Sequence, residues 1–173
     1  MKRRQILTGT VALAALAGGA GWAWWRGHAS ALSGPEQALW EQRFDRPAGG
    51  DLAMASFRGG PLVLNFWATW CAPCVKEMPM LDAFHRQQQA AGWQVVGLAI
   101  DGPTPVREFL SKVPVAFPIG LAGFTGVELA RSLGNESGGL PFSVVFGRDG
   151  RVAVRKLGSL TSDDLASWAL QAP

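Results

Sequence analysis

The seven residues Leu62-Val63-Leu64-Asn65-Phe66-Trp67-Ala68 lie between Gly59-Gly60-Pro61 and Cys71, and they restrict the fold more than any other part of the chain. A run this short, with no polar alternation, reads as a strand buried on both faces, the pattern of parallel sheets. Such a strand needs a covering layer on each side, so strands and helices should alternate. Residues 72–91 read as the next helix, with Met78, Leu81 and Phe84 at helical spacing. Pro79 inside it has no N–H to donate and is expected to kink it. Trp93 to Ile100 reads as a second apolar strand, and Thr104 to Lys112 and Thr125 to Leu133 read as helices. Phe142 to Phe146 and Arg151 to Lys156 read as strands joined by Gly147-Arg148-Asp149-Gly150. Asp-Gly between two apolar runs signals a hairpin. Thr161, with Asp164 three residues later, caps a last helix carrying Leu165, Trp168 and Leu170. This order predicts an α/β sandwich: a parallel βαβ unit extended by a late antiparallel hairpin.

With 173 residues and 48% hydrophobic content, the chain has room for one cored domain and a tail. Its charge is divided unevenly. Residues 1–31 carry Lys2, Arg3, Arg4 and Arg26 and no acid, while the remaining 12 basic and all 13 acidic groups leave residues 32–173 at −1. A nucleic-acid partner would call for a basic face, and this balance gives it little support.

After Lys2, Arg3 and Arg4 come twenty residues without a charge, Ile6 to Trp25. At about 1.5 Å per residue a helix of that length spans about 30 Å, the thickness of a bilayer core. Trp22, Trp24 and Trp25 end the run, where indoles favour the membrane–water interface. Residues 1–25 are expected to be a signal anchor or a signal peptide. The small residues Ala29-Ser30-Ala31 keep cleavage open, and Arg3-Arg4-Gln5-Ile6-Leu7 is similar to a twin-arginine export signal. Residues 26–38, with Gly27, Gly34 and Pro35, read as a linker, and residues 39–173 as the domain. With the basic residues held inside, the domain would lie outside the cytoplasm, on the periplasmic face of the membrane in a Gram-negative cell.

The chain has two cysteines, Cys71 and Cys74, in Trp70-Cys71-Ala72-Pro73-Cys74, where the buried strand ends and a helix begins. The first turn of a helix presents unpaired N–H groups and a partial positive charge. A thiolate is stabilised there, so the nucleophile is available near neutral pH. Pro73 falls in the first turn, where a missing N–H costs nothing. Cys71 is expected to be exposed and attacking, and Cys74, one turn on and more buried, to resolve the mixed disulfide. The alternatives are a structural disulfide, which would restrain little across so short a loop, a zinc site, and two inert core thiols. Zinc would need two further ligands, and the two histidines fall in the linker (His28) and on the helix, solvated (His85). No metal or other cofactor is expected.

Residues 61–79, PLVLNFWATWCAPCVKEMP, resemble the active-site region of the TlpA/ResA-like thioredoxin-fold proteins. The similarity continues through VVGLAID (95–101), FP (117–118), GLPFSVVFGRDGRV (139–152) and GSLTSDDL (158–165), and covers roughly residues 40–170. These are membrane-anchored thiol–disulfide oxidoreductases of the bacterial cell envelope. The resemblance implies a thioredoxin-like mixed sheet flanked by helices, with a short N-terminal β extension near residues 41–55. It implies that Pro141 is a cis-proline facing the dithiol and that Leu140 offers its backbone to an extended substrate segment. Trp70, Pro73, Leu140 and Pro141 would form the substrate-binding surface. Glu77 matches the family's active-site glutamate. It shares a helical face with Cys74 and would hold or take that thiol's proton, unless it is a solvated acid at a helix start. Asn65 is expected to satisfy local backbone groups, Trp67 to be core, and Asp101 to have no role.

The implied activity is exchange of the Cys71–Cys74 dithiol with disulfides of protein substrates outside the cytoplasm, in the reducing direction. Oxidised C-x-x-C-H sites of apocytochromes c or copper-site thiols of oxidases would be substrates, with a membrane thiol transporter of the DsbD/CcdA kind as electron donor. A thiol-based copper chaperone of the envelope is the alternative. A docking module without redox chemistry and a peroxiredoxin-type peroxidase are the remaining readings.

Overall fold

The computed structural model describes residues 32–171, in which a seven-stranded mixed sheet carries helices on both faces. Residues 1–25, read as an anchor or signal peptide, and 26–31, the start of the linker, lie outside the described residues. The stretch read as linker ends earlier than expected, because helix α1 (Gly34–Glu41) begins inside it. Ser33 caps that helix: its hydroxyl accepts the N–H of Glu36 at 3.3 Å, and the Glu36 carboxylate accepts the N–H of Ser33 at 2.7 Å. Pro35 falls in the first turn, so residues that look like linker punctuation serve as a helix start.

Strands β1 (Arg43–Asp45) and β2 (Asp51–Ala53) form the N-terminal β extension where it was expected. The central strand is β3 (Leu62–Trp67), every residue of which is buried. Helix α2 (Ala72–Gln88) follows and runs on through Pro79. That proline is exposed, so the carbonyl one turn back is left on the water side. Strand β4 (Gln94–Ala99), helix α3 (Pro103–Lys112), strand β5 (Ile119–Leu121) and helix α4 (Thr125–Ser132) come next. Strands β6 (Phe142–Phe146) and β7 (Val152–Leu157) form the late hairpin, and α5 (Ser162–Gln171) closes the described chain. The strand order is β2-β1-β5-β4-β3-β6-β7, with β3, β4 and β5 parallel and the outer pairings antiparallel.

Strand β5 gave no sequence signal because three residues with Gly120 in the middle make no periodic pattern. A side chain at Gly120 would press on Leu98, Phe44 and Leu52, so the glycine is what lets these side chains from β4, β1 and β2 close together over β5. The last helix begins as expected: the N–H of Asp164 reaches the Thr161 hydroxyl at 3.2 Å, and the N–H of Thr161 reaches the Asp164 carboxylate at 2.8 Å.

Alternation along β3 divides the core in two. Val63 and Trp67 join Cys71, Cys74, Met78, Leu81, Val95, Leu165 and Trp168 in one apolar cluster, which α2 and α5 cover. Leu62, Leu64 and Phe66 face the other way, where Phe66 stacks at a tilt on Phe142 and Trp40 of α1 meets Phe146 edge-on. Burying both faces fixes the register of β3, and with it the point at which Cys71 emerges.

Candidate active site at the start of α2

Cys71 occupies the N-cap of α2, with φ −88° and ψ 96°. Its sulfur accepts the N–H of Cys74 at 3.3 Å, and its carbonyl accepts the N–H of Val75. One N–H of the helix start is therefore aimed at this sulfur, at the positive end of the helix dipole. Cys71 and Cys74 form a disulfide, with an S–S distance of 2.01 Å and a Cα–Cα distance of 5.2 Å. Cys74 is fully buried. Cys71 is 6% exposed, which corrects the expectation of an open residue. The cap folds back on its own helix and bonds to Cys74, so only a sliver of it meets solvent. Pro73 is exposed in the first turn, and Trp70, 70% exposed, stands beside Cys71 on the surface. Trp67 is core, as expected.

The peptide bond between Leu140 and Pro141 is cis. It lies immediately before β6, whose first residue, Phe142, pairs with Phe66 near the end of β3. Pro141 is buried, and Leu140 is half-buried against the cluster that holds both cysteines. The structure thus brings the expected substrate-surface residues Leu140 and Pro141 to the same end of the sheet as Trp70, Cys71 and Pro73.

Glu77 is not a solvated acid. It is 3% exposed and accepts two hydrogen bonds, from Asn65 Nδ2 at 2.8 Å and from the backbone N–H of Leu160 at 2.9 Å. Burial raises its pKa above the ordinary carboxylate value, and the two hydrogen bonds pull partly the other way. The side chain also lines a cleft of about 410 Å³ bounded by Ala72, Pro73, Lys76, Met80, Ser159 and Leu160.

Three further expectations change. Asn65 pairs with the side chains of Glu77 and Ser143 instead of backbone groups, because the backbone of β3 is already used by its two neighbouring strands. Asp101 does have a partner: its carboxylate accepts both the N–H and the hydroxyl of Thr69. His85 is half-buried rather than solvated, edge-on to Phe117, and burial lowers its pKa. Sequence reasoning missed the contributions of Asp101, Ser143 and Leu160. A lone acid ending an apolar strand was the available signal for Asp101. Leu160 acts through its backbone, which leaves no trace in residue type.

Residues 45–168 match the family model Redoxin. The chain belongs to the Redoxin family. Among curated relatives, this redoxin is 27% identical to the thiol-disulfide oxidoreductase ResA of Bacillus cereus over 171 residues, covering 97% of this chain and 96% of that protein. It is 28% identical to ResA of Geobacillus thermodenitrificans over 113 residues, covering 65% of this chain and 63% of that one. Among solved structures it is similar to a thiol:disulfide interchange protein DsbE from Chlorobium tepidum, with a TM-score of 0.66, 26% identity, and coverage of 76% and 91%. A secreted thiol-disulfide isomerase from Corynebacterium glutamicum gives a TM-score of 0.68, 25% identity, and coverage of 78% and 84%. The redoxin is a TlpA/ResA-like thiol–disulfide oxidoreductase with a thioredoxin-like fold, and Cys71–Cys74 is its cysteine pair.

Proposed function

We propose that this redoxin reduces disulfides of protein substrates outside the cytoplasm, tethered by residues 1–25 to the outer face of the cytoplasmic membrane. The observation that carries the reading is the pairing of a cysteine at a helix N-cap with a buried carboxyl, Glu77, one turn beyond its partner cysteine. In the dithiol form, the Cys71 thiolate attacks a substrate disulfide and one substrate sulfur leaves as thiolate. Cys74 then gives its proton to Glu77 and attacks Cys71 Sγ. The second substrate sulfur departs and is protonated, so the substrate gains two electrons and the enzyme keeps a Cys71–Cys74 disulfide. Trp70, Pro73, Leu140 and Pro141 form the surface on which the substrate segment lies. A membrane thiol transporter of the DsbD/CcdA type returns the protein to its dithiol state. Oxidised C-x-x-C-H sites of apocytochromes c and the copper-site cysteines of oxidases in their disulfide form are the proposed substrates.

The uncharged run Ile6 to Trp25 after three basic residues supports the tether, and the secreted neighbour from Corynebacterium glutamicum supports work outside the cytoplasm. The test is trapping in the native membrane. Cys74→Ser should stall as a mixed disulfide through Cys71, and mass spectrometry of the adduct should find a cysteine-bearing envelope protein. Cys71→Ser should abolish reduction of insulin. An unchanged rate would end this reading.

A further inference from the structure

Strand β3 carries one polar side chain among six fully buried residues, and it is Asn65, 0% exposed. A buried amide is costly unless its polar atoms are paired. Its two ends are treated differently. Nδ2 donates to Glu77 Oε1 at 2.8 Å and to Ser143 Oγ at 3.0 Å, while Oδ1 is buried without a partner. An amide placed only to fill space could give way to leucine, which carries no orphan oxygen. Here the donor end is fully used on a carboxyl and a hydroxyl, and the acceptor end is left idle.

The placement joins the parts of the site. Asn65 and Ser143 are direct partners across the antiparallel β3–β6 pairing, so both project to the face covered by α2. β3 leads to Cys71, α2 carries Cys74 and Glu77, and β6 is entered through the cis peptide at Pro141. One amide therefore ties the carboxyl to the strand before the attacking cysteine and to the strand after the cis-proline.

We infer that Asn65 is a positioning residue: seated by Ser143, it aims the Glu77 carboxyl and sets how readily that group ionises beside Cys74. The inference rests on the proton-transfer role proposed above for Glu77. The surroundings leave Asn65 in this position of control. β3, β6 and residues 158–161 present no charged side chain to Glu77, since their sequences contain none. On α2 the titratable neighbours are Cys74 and Lys76, which lines the same cleft. On α5, Asp164 is engaged by Lys156 and Thr161.

The test follows the Glu77 carboxyl itself, by carbon NMR across a pH series on the full chain. In Asn65→Leu, the midpoint should rise by about one pH unit or more, the size of losing one charge-assisted hydrogen bond. The pH profile of Cys74 alkylation in the reduced protein should move with it. A midpoint unchanged in a folded Asn65→Leu would overturn the inference. The wild-type protein gives a second readout should that variant not fold: the side-chain amide signals of Asn65 should titrate with Glu77 and stop doing so in Glu77→Gln. Signals that stay constant through the Glu77 transition would also overturn it. If Glu77→Gln left Cys74 reactivity untouched while Asn65→Leu still moved the carboxyl midpoint, the proton-transfer role of Glu77 would fail and the coupling to Asn65 would stand.

Discussion

The carboxylate of Asp101, just past the end of β4, accepts the backbone N–H of Thr69 at 2.9 Å. It also accepts the Thr69 hydroxyl, so one buried side chain holds the loop that leads from β3 to Cys71. The same loop is closed by the bond from the N–H of Cys71 to the carbonyl of Ala68 at 3.2 Å, while Trp70 points to solvent. Asp101→Ala should therefore cost about 1–3 kcal/mol and loosen the Cys71 end of the site. Thr69→Val, which keeps the N–H bond and loses the hydroxyl, should cost about 1 kcal/mol. Urea unfolding of the two variants, with the rate of Cys71 alkylation measured beside it, checks both. Equal stabilities for Asp101→Ala and wild type would refute the clamp.

Glu77 should also leave a mark on stability. Its pKa is raised by burial, so in the acid range the folded protein keeps a proton that the unfolded chain has already released. Stability is therefore lost as pH rises through the folded value, and Glu77→Gln, which cannot ionise, escapes that loss. The thermal midpoint of Glu77→Gln minus that of wild type should increase from acid to neutral pH. A difference independent of pH would mean the carboxyl has the same proton affinity in both states.

Glu36 should behave in the opposite sense. Burial pushes its pKa up, but bonds from the N–H groups of Val152 and Ser33, the Ser33 hydroxyl and the charge of Arg151 bring the net shift below the ordinary value. A group with a depressed pKa stabilises at neutral pH, and that contribution is lost as pH falls through its folded value. Glu36→Ala should cost about 1–3 kcal/mol at pH 7, and the gap to wild type should narrow on acidification. Chemical denaturation at pH 7 and at pH 3 measures both values.

Trp70 separates binding from folding. At 70% exposure it contributes little to the core, so Trp70→Ala should change stability by no more than about 0.5 kcal/mol. If the side chain contacts substrate, the variant should reduce insulin several-fold more slowly and a small aromatic disulfide at an unchanged rate. Equal rates with insulin would remove Trp70 from the substrate surface.

The element order was legible in the chain because periodicity and punctuation are local properties. The buried run of β3, the Asp-Gly hairpin and the Thr161–Asp164 cap each appear where their residues required them. β5 was not legible, since three residues carry no period, and α1 was masked by glycine and proline that also mark linkers.

The chemistry divides along the same line. The sequence alone determined that a thiol pair stands between a buried strand and a helix, because Cys71 and Cys74 are neighbours in the chain and a helix start acts on whatever caps it. It also placed Glu77 on the face of Cys74, because helical spacing needs no knowledge of the fold. Only the tertiary structure decided that Glu77 is buried, that Asn65 and Leu160 hold it, and that Asp101 grips Thr69. Those contacts join residues far apart along the chain. Their existence depends on which strands lie side by side, a matter settled by packing the two faces of one sheet and not by any local pattern of residues.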